Sequence, residues 1–345
     1  MWGKDIGIDL GTATVLIFIK DKGVVLQEPS VVAMDQNSGK ILAVGSDAKL
    51  MIGKVPGNVV AVRPLKDGVI ADYTMTEVML RLFIKKVTHG LERIMRHRVM
   101  ICVPSGATDV ERRAVLEAAL EVGAKEAYLI EEPMSAAIGA GLEISEPGGN
   151  LVVDIGGGTT DVAVISLGGI VVSKSLRVGG DKFDEAIMRY TRRQFNLAIG
   201  EQTAEDLKVK IGTCFSVGEE LSMNIRGRDL LQGLPRQITM TSTDVMKAIE
   251  DSINTIISGI REVLELTPPE LAADIIERGI VLTGGGALLR GLPELVTQQT
   301  EIETNVAESP MECVVLGTGR TLETLDKFRE SGTVLSANRK GGRRR

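Results

Sequence analysis

The stretch Leu151-Val152-Val153-Asp154-Ile155-Gly156-Gly157-Gly158-Thr159-Thr160-Asp161-Val162-Ala163-Val164-Ile165 decides how this chain is read. An apolar run enters a glycine-rich turn bounded by aspartates, and a second apolar run leaves it. The pattern predicts two strands of a hairpin whose turn passes very close to something. Glycines leave the backbone N–H groups exposed, and a tight turn of N–H groups makes an anion nest. Asp154, at the strand end, adds a hard oxygen ligand of the kind Mg²⁺ takes. For this stretch alone, a Gly-rich hairpin without a ligand is the plain alternative.

A second copy stands at the start of the chain, Asp5-Ile6-Gly7-Ile8-Asp9-Leu10-Gly11-Thr12-Ala13-Thr14-Val15-Leu16. Asp9 matches Asp154, Gly11 matches Gly156, and Thr14 aligns with Thr159. An internal repeat at long spacing implies two related domains, each with one phosphate-binding hairpin. Facing each other, the hairpins would clamp a polyphosphate from both sides. A third turn, Val281-Leu282-Thr283-Gly284-Gly285-Gly286-Ala287, follows another apolar run and precedes a predicted helix. It fits the nucleoside end or the α-phosphate.

The set resembles the actin, heat-shock chaperone and sugar-kinase ATPase superfamily. Within it, three further segments are similar to those of MreB-type bacterial actins (MreB and the MreB-like Mbl). They are residues 63–72 (RPLKDGVIAD), 130–139 (IEEPMSAAIG) and 179–187 (GGDKFDEAI), and the resemblance runs from about residue 5 to 328. It implies an α/β, actin-like ATPase fold: two related ribonuclease H-like halves, each with a smaller subdomain, and a nucleotide in the cleft between them. The implied division is 1–32, 64–145 and 315–345 for subdomain IA, 33–63 for IB, 146–180 and 240–314 for IIA, and 181–239 for IIB.

On this reading Gly11, Thr12, Ala13 and Thr14 face Gly156, Gly157, Gly158 and Thr160 across the β- and γ-phosphates of ATP. Asp9 and Asp154 hold Mg²⁺ through water, because Mg²⁺ dehydrates reluctantly. Gly284, Gly285, Gly286 and Ala287 close the nucleoside side. The resemblance also implies that Ala204, Glu205, Asp206, Leu207 and Lys208 frame adenine and ribose. From spacing alone, Glu205 and Lys208 equally fit a surface ion pair on one helix face. Hydrolysis needs a group that orients an in-line water. Glu132 is the candidate by resemblance to the superfamily carboxylate that precedes proline, Glu131 is second, and Thr159 helps position the water. The alternative for the two glutamates is an acidic pair at a strand end. With few groups committed to chemistry, turnover is expected to be slow.

Composition sets the outer limits. At 345 residues, two domains of ordinary size are expected, and 43% apolar residues supply packed cores. Aromatics are only 3%, so those cores are aliphatic. A net charge of −6 argues against nucleic acid as the main partner. The basic tail, residues 339–345, reads as a solvated end, with weak attraction to anionic lipid as the alternative. Cys102, Cys214 and Cys313 have no metal spacing and suit a reducing cytosol. There is no apolar run of spanning length and no signal-peptide pattern. The expected location is the cytoplasm, peripheral on the inner face of the cell membrane.

Membrane contact is expected from Leu91, Ile94 and Met95, which alternate with Arg93, Arg96 and Arg98 on a predicted loop. Trp2 could add an interfacial contact. An ordinary loop with its apolar residues turned inward, and a tryptophan that caps the first strand, are the alternatives. Four helices carry clear signals: 74–89, capped by Thr74 with Glu77; 108–122, with a Thr108–Glu111 capping box; 242–266, ended by Pro268-Pro269; and one near 317–328.

The first functional reading is a filament-forming ATPase whose subunits stack head to tail. By resemblance it forms paired antiparallel filaments on the inner membrane with cell-wall elongation proteins as partners, and so organises elongation in rod-shaped cells. A small-molecule kinase of the same superfamily is the alternative, although no acceptor base stands out beyond the glutamate pair. A chaperone-type ATPase would need a substrate-binding domain after the nucleotide domain.

Overall fold

The structure is a computed structural model and describes residues 4–88, 97–215, 218–325 and 334–338. The chain opens with an antiparallel meander, β1 (Asp5–Leu10), β2 (Thr14–Ile19) and β3 (Gly23–Pro29). Ile6, Ile8, Ile17 and Ile19 are fully buried, as β-branched runs are when both faces of a sheet are covered. An excursion follows: β4 (Val32–Asp35), β5 (Ile41–Val44), the short helix α1 (Ser46–Lys49) and β6 (Val59–Val62) build a small separate sheet. The short strands β7 (Leu65–Lys66) and β8 (Val69–Ile70) then flank a turn at Gly68.

Helix α2 (Tyr73–Val87) begins one residue before the expected Thr74 cap. Asp72 is the true cap, accepting from the Met75 N–H at 2.9 Å, so Thr74 lies inside the first turn. Next come β9 (Arg98–Val103), α3 (Asp109–Glu121), β10 (Glu126–Glu131) and α4 (Glu132–Gly139). The Thr108–Glu111 capping box forms as expected. Proline in the first turn lets α4 start directly from the β10 strand end.

The plan repeats with β11 (Asn150–Ile155), β12 (Thr160–Ser166) and β13 (Gly169–Leu176). Then follow α5 (Gly180–Phe195), β14 (Leu197–Ala198), α6 (Glu201–Ile211) and the hairpin β15 (Ser222–Asp229) and β16 (Pro235–Thr241). Helix α7 (Ser242–Leu266) matches its expected limits. The proline pair does more than end it: Pro269 opens an unforeseen helix, α8 (Pro269–Arg278), because a first-turn proline loses no intrahelical bond. The chain finishes with β17 (Ile280–Thr283), α9 (Leu292–Thr300), β18 (Thr304–Val306), α10 (Cys313–Glu323) and β19 (Leu335–Asn338).

Two large sheets share one topology. Their orders are β19-β10-β9-β1-β2-β3 and β18-β17-β11-β12-β13, with β1, β9 and β10 parallel in one and β11, β17 and β18 parallel in the other. The registers coincide. Asp9 opposes Leu16 and Leu10 opposes Val15 in the first hairpin; Asp154 opposes Asp161 and Ile155 opposes Thr160 in the second. The repeat read in the sequence is therefore a repeat of backbone, and the expected pair of related halves is observed.

Helices α4 and α10 lie between the sheets. Helix α10 packs against β1 and β2, and α4 packs against β11 and β12. The two helices touch backbone to backbone, Gly139 on Cys313 and Gly317 on Ser135. A shared core joins them: Met100, Tyr128 and Met134 cluster with Val152, Ala163 and Val314. The two halves thus meet across one helix layer and are open to each other at the strand ends beyond it.

Candidate functional site

The carboxyl ends of β1 and β11 face the same cavity, about 410 Å³ in volume. The two hairpin tips meet there. A methyl on Gly157 would stand 2.5 Å from the Ala13 Cβ, and one on Gly158 would stand 2.5 Å from the Thr12 Oγ1. Only glycine permits that approach. Thr12 is held by the Gly68 N–H, which donates to its Oγ1 at 3.0 Å. The third turn closes the cavity from the side. Gly284 has φ of 78°, and a side chain there would overlap the Ile155 carbonyl.

The cavity is lined by Asp9, Gly11, Thr12, Ala13, Thr14, Glu132, Asp154, Gly156, Gly157, Gly158 and Thr159. Glu205, Lys208, Gly284, Gly285 and Gly286 line it as well. The structure therefore brings most of the expected residues together from five separate segments. Others it does not. Glu131 is turned away into an ion pair with Arg112 at 2.8 Å. Thr160 spends its hydroxyl on the Val178 carbonyl at 2.7 Å and is fully buried. Ala204, Leu207 and Ala287 are core residues, and Asp206 pairs with Lys210 on the surface. The possible Glu205–Lys208 pair does not form. Lys208 donates to Asp184 at 2.7 Å and to the Gly180 carbonyl at 3.0 Å, while Glu205 reaches across the cleft mouth to Lys49. Trp2, Leu91, Ile94 and Met95 lie outside the described residues.

Sequence reasoning missed two sets. Phe183, Val209, Leu288, Leu289 and Met311 make an apolar end to the cavity. They come from four places in the chain, and no local pattern links them. The other is Asp161, fully buried beside the site. Its Oδ1 accepts from the Ser105 N–H at 3.0 Å and hydroxyl at 2.9 Å, while its Oδ2 has no hydrogen-bond partner among the described residues. The signal was available: Asp161 stands where the first repeat has Leu16.

The repeat extends to how the two strand-end aspartates are held. Thr283 on β17 donates its hydroxyl to Asp154 Oδ1 at 2.7 Å. Cys102, at the matching place on β9, donates its thiol to Asp9 Oδ1 at 3.3 Å. Burial raises the Asp154 carboxyl to about 7, opposed by the Thr283 bond and reinforced by Asp9 and Asp161. Burial raises Asp9 to about 6, opposed by Cys102. Glu132 is driven well above the usual carboxylate range by burial first, then by Asp161, Asp9 and Asp154.

Four carboxyls sharing one neighbourhood, three buried and Asp9 half-buried, one with an orphaned oxygen, is an arrangement that a cation relieves. Among the described residues no three side chains are placed to ligate one ion directly. Asp9 and Asp154 are the residues that could hold a cation there through water.

The raised carboxyls make a testable prediction. From the ordinary value of 3.8 up to about 7, the ligand-free native state keeps protons that the unfolded chain has released. Stability from these groups is thus greatest at low pH and falls as pH rises through that window. The melting temperature of the ligand-free protein is expected to drop between about pH 4 and pH 7, and Asp154→Asn to flatten the drop. A variant with the wild-type slope would remove Asp154 as its source.

Comparison with known proteins agrees with this geometry. A family model described as MreB/Mbl protein matches residues 3–330. The cell shape-determining protein Mbl of Bacillus subtilis is 55% identical over 329 residues, covering 95% of this chain and 98% of that one. The cell shape-determining protein MreB of Escherichia coli is 53% identical over 330 residues, covering 94% and 95%. Among solved structures, MreB 5 of Spiroplasma citri bound to AMPPNP superposes with a TM-score of 0.90 at 40% identity, covering 96% and 99%. A chain from a MamK double helical filament superposes at 0.79 with 24% identity, covering 93% and 98%, a likeness of fold alone.

Proposed function

The chain belongs to the MreB/Mbl family of bacterial actin-like cytoskeletal proteins, and from that premise we propose how its cleft works: ATP with Mg²⁺ binds between the two sheets, is hydrolysed slowly, and controls assembly into filaments. One observation carries the reading. Two hairpins of identical register, one from each half, meet tip to tip with an aspartate behind each. Relatives that determine cell shape support the cytoskeletal role over the kinase alternative. The Spiroplasma protein, solved with AMPPNP and with ADP, supports adenine nucleotide as the ligand.

The backbone N–H groups of the two tips bind the β- and γ-phosphates, with Thr12, Thr14 and Thr159 hydroxyls beside them. Mg²⁺ supplies charge neutralisation there. The apolar end, with Phe183, Val209 and Leu288, takes the base. Glu132 orients the attacking water. Burial first, and then the neighbouring carboxyls, favours its protonated form in the empty site; neutralising those neighbours shifts the group toward the charged base. Thr159 positions the same water.

Both halves bind one nucleotide, so binding sets the angle between them, and that angle decides whether the subunit fits a filament. The division into four subdomains at the limits given above is part of this proposal, supported by two large sheets that each accompany a small one. Antiparallel pairing of filaments, peripheral attachment at the inner membrane face through Trp2, Leu91, Ile94 and Met95, and cell-wall elongation proteins as partners rest on the sequence resemblance. Among the described residues no helix is long and apolar enough to cross a membrane.

Sedimentation with Mg²⁺ and ATP tests the assembly reading, and electron microscopy on anionic lipid vesicles tests the attachment. Filaments lying flat on the bilayer are expected. Failure to pellet with any adenine nucleotide would remove the filament reading, and acceptor-dependent ATP consumption would restore the kinase.

A further inference from the structure

Arg112 on α3 does not line the cavity, yet it grips the residue next to Glu132. Its Nη2 donates to Glu131 Oε1 at 2.8 Å and to the Ser105 carbonyl at 3.3 Å, and its Nε donates to the Ala107 carbonyl at 3.0 Å. Its side chain is only 17% exposed. A planar guanidinium with three acceptors fixes direction as well as distance.

The grip falls on a junction that needs one. Strand β10 ends at Glu131 and α4 begins at Glu132, with no loop between them. Glu131 is the N-cap of α4, but no side chain caps the helix. Pro133, in the first turn, brings no N–H of its own. No cap therefore sets the direction in which Glu132 leaves the strand, and the Arg112–Glu131 ion pair supplies the anchor instead.

The same arginine reaches toward the second half. Ser105 and Ala107, whose carbonyls it holds, lie in the loop between β9 and α3. Ser105 gives both its N–H and its hydroxyl to Asp161 on β12. Gly106 lies against Ser175 on β13, whose Cβ is 3.1 Å from where a methyl on the glycine would stand. The loop is thus seated on the second sheet, and Arg112 joins that seat to the strand end beside Glu132. The path from Asp161 through Ser105 and Arg112 to Glu131 crosses between the halves behind the cavity, since none of the four lines it.

We infer that Arg112 is a positioning residue for hydrolysis. It holds the β10–α4 junction so that Glu132 stays directed at the attacking water. Through Ser105 it ties that direction to the second half, which carries Asp154 and Thr159. This role rests on Glu132 being the group that orients the water.

Single-turnover phosphate release tests it, with pelleting measured on the same samples so that a change in assembly is not taken for one in chemistry. Arg112→Gln is expected to slow release about tenfold and to leave nucleotide affinity unchanged, as misdirection of a catalytic group does. Glu132→Gln supplies the background in which a positioning role disappears. There, adding Arg112→Gln is expected to slow release by no more than about twofold, because a directed group that is no longer a base has little left to lose. A merely structural role would slow both backgrounds alike. Arg113→Gln, which removes an exposed charge one residue on, is expected to leave the rate unchanged.

Glu131→Gln reads the same ion pair from its other side, at a residue whose side chain is 26% exposed, and so serves if Arg112→Gln does not fold. A neutral amide keeps a weaker bond to the guanidinium, so a loss of about threefold is expected, again absent in the Glu132→Gln background. Slow Glu132→Gln with both Arg112→Gln and Glu131→Gln at the parental rate removes the positioning role alone. An equal loss in both backgrounds also removes it. Glu132→Gln at the parental rate removes the reading of Glu132 and this role with it.

Discussion

Glu132→Gln is expected to bind ATP as tightly as the parent protein and to release phosphate about a hundredfold more slowly, the usual range for loss of a general base being about 10²–10⁴. Glu132 lines the cavity beside both strand-end aspartates, where it can polarise a water. Glu131 is committed to Arg112, and His97 lies in the core at the other end of the first strand, where its Nδ1 accepts from the Lys4 N–H at 3.0 Å. Glutamine keeps the size and removes the base, so the loss falls on the chemical step. Burial and three carboxyl neighbours keep Glu132 protonated in the empty site. Glutamine matches that uncharged form in size and polarity, so the variant is expected to melt no lower than the parent. Single-turnover phosphate release and a fluorescent-nucleotide titration separate the two effects. Unchanged hydrolysis would move the role to Asp161, whose free Oδ2 makes it the next candidate.

Gly139→Ala and Gly317→Ala are expected to cost about 3 kcal/mol or more each, at the upper end of what overpacking does. At both positions a methyl meets main chain: the carbonyl of Cys313 in one case, that of Ser135 in the other. A side chain could rotate aside, but a helix backbone cannot, so α4 and α10 would have to separate. That pair is the layer joining the two sheets, and its separation disturbs both. The expected fall in melting temperature is roughly 4 °C or more. Gly57→Ala is the control, since nothing lies within 4 Å of the added methyl. Its melting temperature should not change. A Gly139→Ala protein that melts with the parent would mean that the helices tolerate a wider crossing.

How much of the site could be read in advance depended on the kind of pattern. Asp9, Asp154 and the three glycine turns were legible because strand, turn and strand are contiguous in sequence. The helix residues were legible only as a segment. Of Ala204, Glu205, Asp206, Leu207 and Lys208, only Glu205 and Lys208 face the cavity. The helical period puts residues three apart on one face and sends Ala204 and Leu207 into the core. Glu131 and Glu132 differ for a similar reason: one ends a strand within reach of Arg112, and the next starts a helix that points it inward. Thr160 was expected to touch phosphate because it follows Thr159, yet strand alternation turns it to the opposite side.

By itself the sequence determined the duplication, the two hairpins and their aspartates, because chain-local chemistry specifies each: apolar runs for strands, glycine for the tight turn, a carboxylate at the strand end. Only the tertiary structure decided which side chains share the cavity. It alone set the glycine contact of α4 on α10 and the pairing of Cys102 with Asp9 and Thr283 with Asp154. Those depend on the directions in which separate elements project, and direction is set by packing between segments far apart in the chain.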